Sequence, residues 1–426
     1  MPSLLIFTCT DIGQNYRLLR HAKSFATLPN SHVEILAPDI TSLPKEIENS
    51  PNIIHHYLFA FHSDSFFDQF LFPLRFVLYA IQIFHLFFTS KTQTFDFVIS
   101  CSWPLIDPIM AKLLAFLFKS KLIIDISLFR FTNIAKSSSL MRYIEKNVTK
   151  KADYRICSTR AMQVVLQLRN VSSTIIHDPP GSMFKPYLNI RNEVFSYLNT
   201  QKEFLVSAPM PYYDFQQMQI LTNLCRNLNE KGGSAAVVIF GSPKAQAEIE
   251  RQINGANEIL SNSDNNKNKP FKNRHQKPNE NHQKSDTKNI ESDLNDQKSD
   301  KTNKGVTLHF APANTDAYAH ILGCSDVAVL LCGTRHGLDI SPELTEAVSC
   351  GVPVVVGRCG CVSEAFREGE GGLVFGSADE LSSLMSKIIV EKEINLSKMR
   401  DALKKSKFDW KSEWKVFFDP LLENCE

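Results

Sequence analysis

The 426-residue chain predicts an α/β fold of two doubly wound domains facing each other across a cleft. Three observations lead there. Short apolar runs rich in β-branched residues alternate with amphipathic stretches, the pattern of parallel sheets covered by helices. The alternation restarts after a connector near 190–202, so there are two sets of elements rather than one. The length suits two domains with substantial cores.

The first set opens with a strand at 4–8, a polar turn at Thr10-Asp11-Ile12-Gly13, a helix over about 15–28 and a strand at 33–37. Further strands are expected at 95–100, 121–126 and 154–158. The second set has strands near 204–207, 235–240, 306–310, 327–332 and 353–356, with helices between them. The domains are placed at 1–198 and 199–407, with 408–426 expected to pack back on the first. In open sheets of this kind ligands bind beyond the carboxyl ends of the strands.

Two stretches break the pattern. Residues 255–305 are dominated by Asn, Lys, Asp, Ser, Gln and Glu, with almost nothing apolar after Leu260. Such a composition cannot bury enough surface to offset chain entropy, so a disordered low-complexity insertion is expected. Residues 66–88 are apolar on nearly every helical face, with Pro73 near the start and Arg75, Gln82 and His85 interrupting the run. An interfacial helix dipping into a bilayer is the favoured reading. A buried core helix and a true membrane span are the alternatives.

Composition excludes several classes. The apolar fraction of 43% is that of a soluble globular protein. A net charge of +2 gives no footprint for nucleic acid. The ten cysteines show no C-x-x-C pair, and Cys359-x-Cys361 is too tight for a zinc knuckle. They read as free thiols of a reducing compartment. The amino-terminal residues show no secretory signal.

The most informative stretch is 337–375, GLDISPELTEAVSCGVPVVVGRCGCVSEAFREGEGGLVF. A polar loop opens a helix carrying Glu346. The helix closes on Ser349-Cys350-Gly351, and Pro353-Val354-Val355-Val356 reads as a buried strand. A helix N-terminus offers unpaired N–H groups and positive dipole to phosphates. A carboxylate one or two turns on can accept both hydroxyls of a ribose. This layout suits a sugar nucleotide.

An acidic residue ahead of a small-Cys-Gly-x-Pro-Val-Val run resembles the donor-binding half of GT-B glycosyltransferases, built of two Rossmann-like domains. Gly337-Leu338-Asp339, with Gly337 nine residues before Glu346, narrows the resemblance. It is similar to the β-1,4-mannosyltransferase family that adds the first mannose to chitobiosyl-diphosphodolichol. Broad retaining GT-B families carry a second Glu at the position of Leu338, and its absence here agrees with the narrower family. Glu343 departs from it, standing where that family has Lys. That family often carries an amino-terminal membrane anchor, which is not expected here.

The resemblance implies site residues, each with a structural alternative. Asp11, Gly13, Arg17 and His21 match an Asp-x-Gly turn followed by Arg and His, facing the cleft near the transferred sugar. Asp11 is the first candidate base or a helix cap. Arg17 can neutralise a lipid diphosphate. His21 is catalytic or a satisfied buried histidine. Asp125, closing its strand, is a further base candidate or structural; the family's Trp-His-Asn after it is replaced, with Ile126-Ser127-Leu128 here. Ser207 matches a phosphate-contacting serine, and Ala208 and Pro209 depart from the pattern. Lys244, in Gly241-Ser242-Pro243-Lys244, reaches a diphosphate or is a solvated lysine. Backbone N–H groups at Gly337 and Leu338 hold phosphate. Asp339 binds substrate or caps the helix. Glu346 binds ribose, and Glu364 a sugar hydroxyl or a structural partner. His177-Asp178-Pro179-Pro180 with Phe184-Lys185 resembles the family's interdomain connector.

The resemblance implies GDP-mannose as donor, GlcNAc2-diphosphodolichol as acceptor and inversion at the anomeric carbon. It implies the cytosolic face of the endoplasmic reticulum membrane, with other dolichol-pathway mannosyltransferases as candidate partners. No cofactor or metal is expected, since the folded regions lack the Asp-x-Asp that holds a divalent ion in the GT-A class. Rival readings are a GT-B transferase with another donor, a catalytically weak scaffold paralogue, and, less favoured, an epimerase of the same fold.

Overall fold

The computed structural model describes residues 1–38, 40–58, 77–84, 94–102, 104–126, 139–210, 214–242, 246–266, 305–313, 316–331, 338–404 and 409–423. Their architecture is GT-B, two parallel sheets each flanked by helices. The first sheet contains β1 (Ser3–Phe7), β2 (His32–Ala37), β3 (Ile53–Tyr57), β4 (Phe97–Cys101), β5 (Lys121–Ile126), β6 (Tyr154–Cys157) and β7 (Thr174–Ile175), in the order β3-β2-β1-β4-β5-β6-β7. The second contains β8 (Leu205–Pro209), β9 (Ala235–Gly241), β10 (Val306–Pro312), β11 (Val327–Leu330), β12 (Val354–Gly357) and β13 (Gly372–Phe375), in the order β10-β9-β8-β11-β12-β13. Strand order reverses between β1 and β4, and again between β8 and β11. Crevices open at such switch points, so the turns after β1 and β8 lead into the cleft.

β1, β4 and β5 are buried along almost their whole length, which is why they read as unbroken apolar runs. Three strands were not anticipated. β3 is a half-exposed edge strand containing two histidines. β7 has two residues, and β13 is an edge strand opening on glycine, which reads as a turn. Sheet pairing, a tertiary interaction, makes them strands.

Helix Trp410–Leu422 packs on the first domain although it follows the second in sequence. Trp410, Trp414, Phe417 and Phe418 join a core with Leu4, Ile6, Phe25, Phe97 and Ile123. Trp414 and Phe418 stack with centroids 4.2 Å apart. Burying each such side chain contributes roughly 1.5–3 kcal/mol.

Part of the stretch expected to be disordered is helical. Helix Gln246–Asn266 runs through the first part of 255–305, because Ile249, Ile253 and Ala256 pack into the core around β9 and β10. The remainder, 267–304, lies outside the described residues. Of 66–88, only 77–84 is described, and it is helical. Tyr79 and Ile83 are buried in the first core. Val77, Ile81 and Phe84, at i, i+4 and i+7, are 51%, 58% and 42% exposed, so one face packs on the domain while the other presents apolar surface outward. Among the described residues no helix is long and apolar enough to cross a membrane.

Candidate active site in the interdomain cleft

In the second domain the donor-side helix is Pro342–Ser349. Ser341 caps it, its hydroxyl accepting from the Leu344 N–H at 3.2 Å, and Pro342 occupies the first turn, where its missing N–H costs nothing. Gly351 ends it at φ +67°, a left-handed position that glycine adopts without strain. These local rules account for the Ser-Pro and Ser-Cys-Gly flanks of Glu346.

Glu346 has a partner that sequence reasoning missed. Tyr318, from helix Asp316–Cys324, donates its hydroxyl to Glu346 Oε2 at 2.5 Å. The Tyr318 ring lies edge-on to Phe184 and tilted against Phe240, which fix its direction. Burial pushes the Glu346 carboxyl up to about 7; the Tyr318 bond opposes the shift and nearby Glu343 adds to it. One carboxylate oxygen is therefore held by protein, and the group sits where a small change decides whether it is an acceptor or a donor. Nothing in the local sequence pairs residues 318 and 346; only adjacent helices do.

Leu338, Asp339 and Glu364 are docked across the cleft on the first domain. Thr159 Oγ1 donates to the Leu338 carbonyl at 2.5 Å, and Ser158 Oγ to Asp339 Oδ1 at 2.8 Å. Burial raises the Asp339 carboxyl to about 7, opposed by Ser158 and by the positive charge of Arg17. Glu364 accepts from the backbone N–H groups of Arg160 and Ala161, at 2.6 and 3.0 Å. These open helix Arg160–Gln167 and have no partner within it. Of the two readings of Glu364, the structure shows the structural partner: its oxygens clasp a helix of the other domain.

His177 completes the clasp. Its Nε2 faces Glu364 at 3.3 Å and its Nδ1 faces Glu413 at 2.7 Å. Burial alone would push the imidazole down, but the two carboxylates outweigh it and hold the pKa up to about 9. A pKa raised above its unfolded value stabilises fully below about pH 6.5, and the contribution is lost as pH rises through about 9. Partial exposure of the partners leaves on the order of 2 kcal/mol. Thermal melting from pH 6 to 9.5 is expected to show this loss in the native protein and its absence in His177→Gln. Parallel profiles for the two proteins would remove His177 as the cause.

In the first domain, Asp11 stands at the end of β1, partly exposed, and caps the turn Ile12–Gln14. It accepts from the N–H groups of Gly13, Ile40 and Thr41, each at 3.2 Å, and from the Thr41 hydroxyl. Burial would raise its pKa, but these donors outweigh it and hold the carboxylate below its ordinary value. Gly13 is required by close approach: a Cβ there would lie 2.4 Å from the Thr41 carbonyl oxygen.

Arg17, His21 and Asp125 come together, but in the interior. Arg17 Nε donates to Asp125 Oδ2 at 2.7 Å, and His21 Nε2 meets the same oxygen at 3.0 Å. The Trp414 indole donates to His21 Nδ1 at 3.2 Å, which places the imidazole proton on Nε2. Burial lowers the His21 pKa and the Asp125 bond opposes it, while Arg17 lowers that of Asp125 against its burial. His21 and Asp125 are fully buried and Arg17 nearly so, with Trp410 beside the guanidinium. The expected roles are corrected accordingly. His21 and Asp125 are a buried brace rather than groups open to an acceptor, whereas Arg17 uses only Nε on Asp125, its Nη1 and Nη2 being buried without a hydrogen-bond partner among the described residues. A further buried carboxylate, Asp107, accepts from Thr8 Oγ1 at 2.6 Å and the Cys9 N–H at 3.0 Å, fixing the end of β1.

Ser207 is also corrected. It is fully buried on β8, its hydroxyl 2.5 Å from that of Ser325, so it braces the sheet and faces no phosphate. Lys244, Gly337 and residues 127–128 lie outside the described residues. Among the described residues no three His, Cys, Asp or Glu side chains gather to hold a metal ion.

No family model matches the chain. It is 24% identical over 403 residues to the UDP-glycosyltransferase TURAN of Arabidopsis thaliana, covering 87% of this chain and 85% of that protein. It is 22% identical over 461 residues to the chitobiosyldiphosphodolichol beta-mannosyltransferase of Candida albicans, covering 99% and 88%. Among solved structures it resembles sucrose-phosphate synthase from Thermosynechococcus elongatus, with TM-score 0.67, 14% identity and coverage of 100% and 99%. Anabaena HepE in complex with UDP-glucose gives TM-score 0.65, 12% identity and coverage of 99% and 100%.

Proposed function

We propose that this chain transfers mannose from GDP-mannose to GlcNAc2-diphosphodolichol, forming the first β-1,4-mannosyl bond at the cytosolic face of the endoplasmic reticulum membrane. The observation that carries the reading is the near-full-length similarity to chitobiosyldiphosphodolichol beta-mannosyltransferases on a GT-B fold. The geometry of Glu346 supports it. With Tyr318 on one oxygen, the ionised carboxylate accepts the two ribose hydroxyls of a nucleotide on the cleft side. The N-terminus of helix Pro342–Ser349 offers its dipole to the diphosphate.

Inversion by one displacement needs a base for the acceptor hydroxyl. Asp11 fills that role best: of Asp11, His21 and Asp125 it alone is solvent-accessible, and its lowered pKa keeps it ionised at neutral pH. The outward apolar face of Val77, Ile81 and Phe84 suits an enzyme whose acceptor is anchored in a lipid surface.

The deciding experiment is transfer of labelled mannose from GDP-mannose to a chitobiosyl-diphosphate lipid. Native protein is expected to transfer, and Asp11→Asn to lower kcat about 100-fold or more with KM for the donor little changed. No transfer by well-folded native protein would sink the assignment. A second reading, a different nucleotide sugar, is favoured by Glu343 beside Glu346 and by the uridine-nucleotide names of the Arabidopsis and Anabaena proteins. Transfer from UDP-sugars with none from GDP-mannose would select it.

A further inference from the structure

The turn between β12 and Glu364 is Arg358-Cys359-Gly360-Cys361-Val362-Ser363. It holds two sulfurs whose surroundings differ. Cys359 is partly exposed and Cys361 is buried, and their Sγ atoms lie 3.8 Å apart. The intervening Gly360 has no side chain to resist the tight ring that a Cys-Gly-Cys bridge makes. We propose that Cys359 and Cys361 are a redox modification site, oxidised to an intrachain disulfide by a small disulfide such as glutathione disulfide.

The chemistry divides between the two thiols. The contact with Cys361 lowers the Cys359 thiol to about 7 against the effect of burial, helped by the N–H groups of Cys361 and Val362. The same contact raises Cys361, with burial and the negative charges of Cys359, Asp339 and Glu364 adding to it. Cys359 is therefore the attacking thiolate. It displaces one glutathione thiolate, which takes up a proton, and leaves a mixed disulfide on Cys359. Cys361 then gives up its proton and attacks the Cys359 sulfur, releasing the second glutathione. Two electrons pass from the pair to the oxidant, and the reverse exchange restores both thiols. Buried Cys101, Cys157, Cys225 and Cys324 have thiols pushed up to about 12, 11, 12 and 11, so they are poor competitors.

The position gives the bridge a consequence. Cys361 is the residue from which the turn Val362–Ala365 starts, and that turn carries Glu364 to the first domain. Shortening the sulfur separation from 3.8 Å to the roughly 2.0 Å of a disulfide moves the root of the interdomain clasp.

Trypsin cuts at Arg358 and Arg367, so one peptide, 359–367, contains both cysteines and no other. Full-length protein is equilibrated across a series of reduced-to-oxidised glutathione ratios, alkylated after denaturation and analysed by mass. The expected result is a 359–367 peptide lacking two hydrogens and carrying no alkyl group, at ratios where Cys101 and Cys225 still alkylate. Cys361→Ser is expected to trap glutathione on Cys359, and Cys359→Ser to leave Cys361 unreacted. A peptide that stays dithiol across the series, or holds glutathione without closing, overturns the site. Oxidised native protein is expected to melt below the reduced form, with Cys359→Ser unaffected by the same oxidant. Equal melting of oxidised and reduced native protein overturns the coupling to the clasp.

Discussion

Glu346→Ala is expected to lower kcat/KM for sugar transfer at least about 100-fold, with the loss visible already in nucleotide binding. Two hydrogen bonds to a charged group are at stake, each worth roughly 1.5–3 kcal/mol, and each 1.4 kcal/mol is tenfold. Ionisation provides a second handle. A carboxyl with a pKa of about 7 accepts both ribose hydroxyls only in its ionised form, so GDP affinity should rise from pH 6 to pH 8 and then level off. Tyr318→Phe removes the bond that opposes the upward shift, so the midpoint should move to higher pH. Isothermal titration with GDP at each pH reads both effects. Native-like affinity in Glu346→Ala would remove Glu346 from the nucleotide site.

The second large effect is on stability. Asp125→Ala leaves the Arg17 guanidinium buried without its counter-charge and breaks the His21 bond. Removing one partner of a buried ion pair costs about 3–5 kcal/mol. A domain of this size loses about 2–4 °C in melting temperature per kcal/mol, so the first domain should melt about 6–20 °C lower. The double variant Arg17→Met, Asp125→Leu should recover much of that, because no uncompensated charge remains. Melting of Asp125→Ala within 2 °C of native would show that the pair is not matched in the interior. Because this brace holds His21 against Trp414, the loss should also loosen helix Trp410–Leu422 from the first sheet.

These two effects separate what was legible in sequence from what was not. The buried strands were legible because parallel strands covered on both faces must be apolar throughout. The cap, first-turn proline and terminal glycine of helix Pro342–Ser349 were legible because they obey rules spanning a few residues. Asp125 was legible as a strand-end carboxylate, but its meaning was not. A carboxylate at the mouth of a sheet and one sealed beneath an arginine share the same local sequence.

By itself the sequence determined the two-sheet α/β architecture, the restart that divides it, and the helix carrying Glu346, since periodicity, caps and burial are written over short spans. Only the tertiary structure decided which polar groups meet. Tyr318 on Glu346, Glu364 on the first residues of helix Arg160–Gln167, and Arg17 with His21 on Asp125 join positions 28, 204, 108 and 104 residues apart. The physical reason is that a hydrogen bond acts over about 3 Å in space. Whether a charged side chain binds a ligand or braces the fold depends on what the chain brings within that distance.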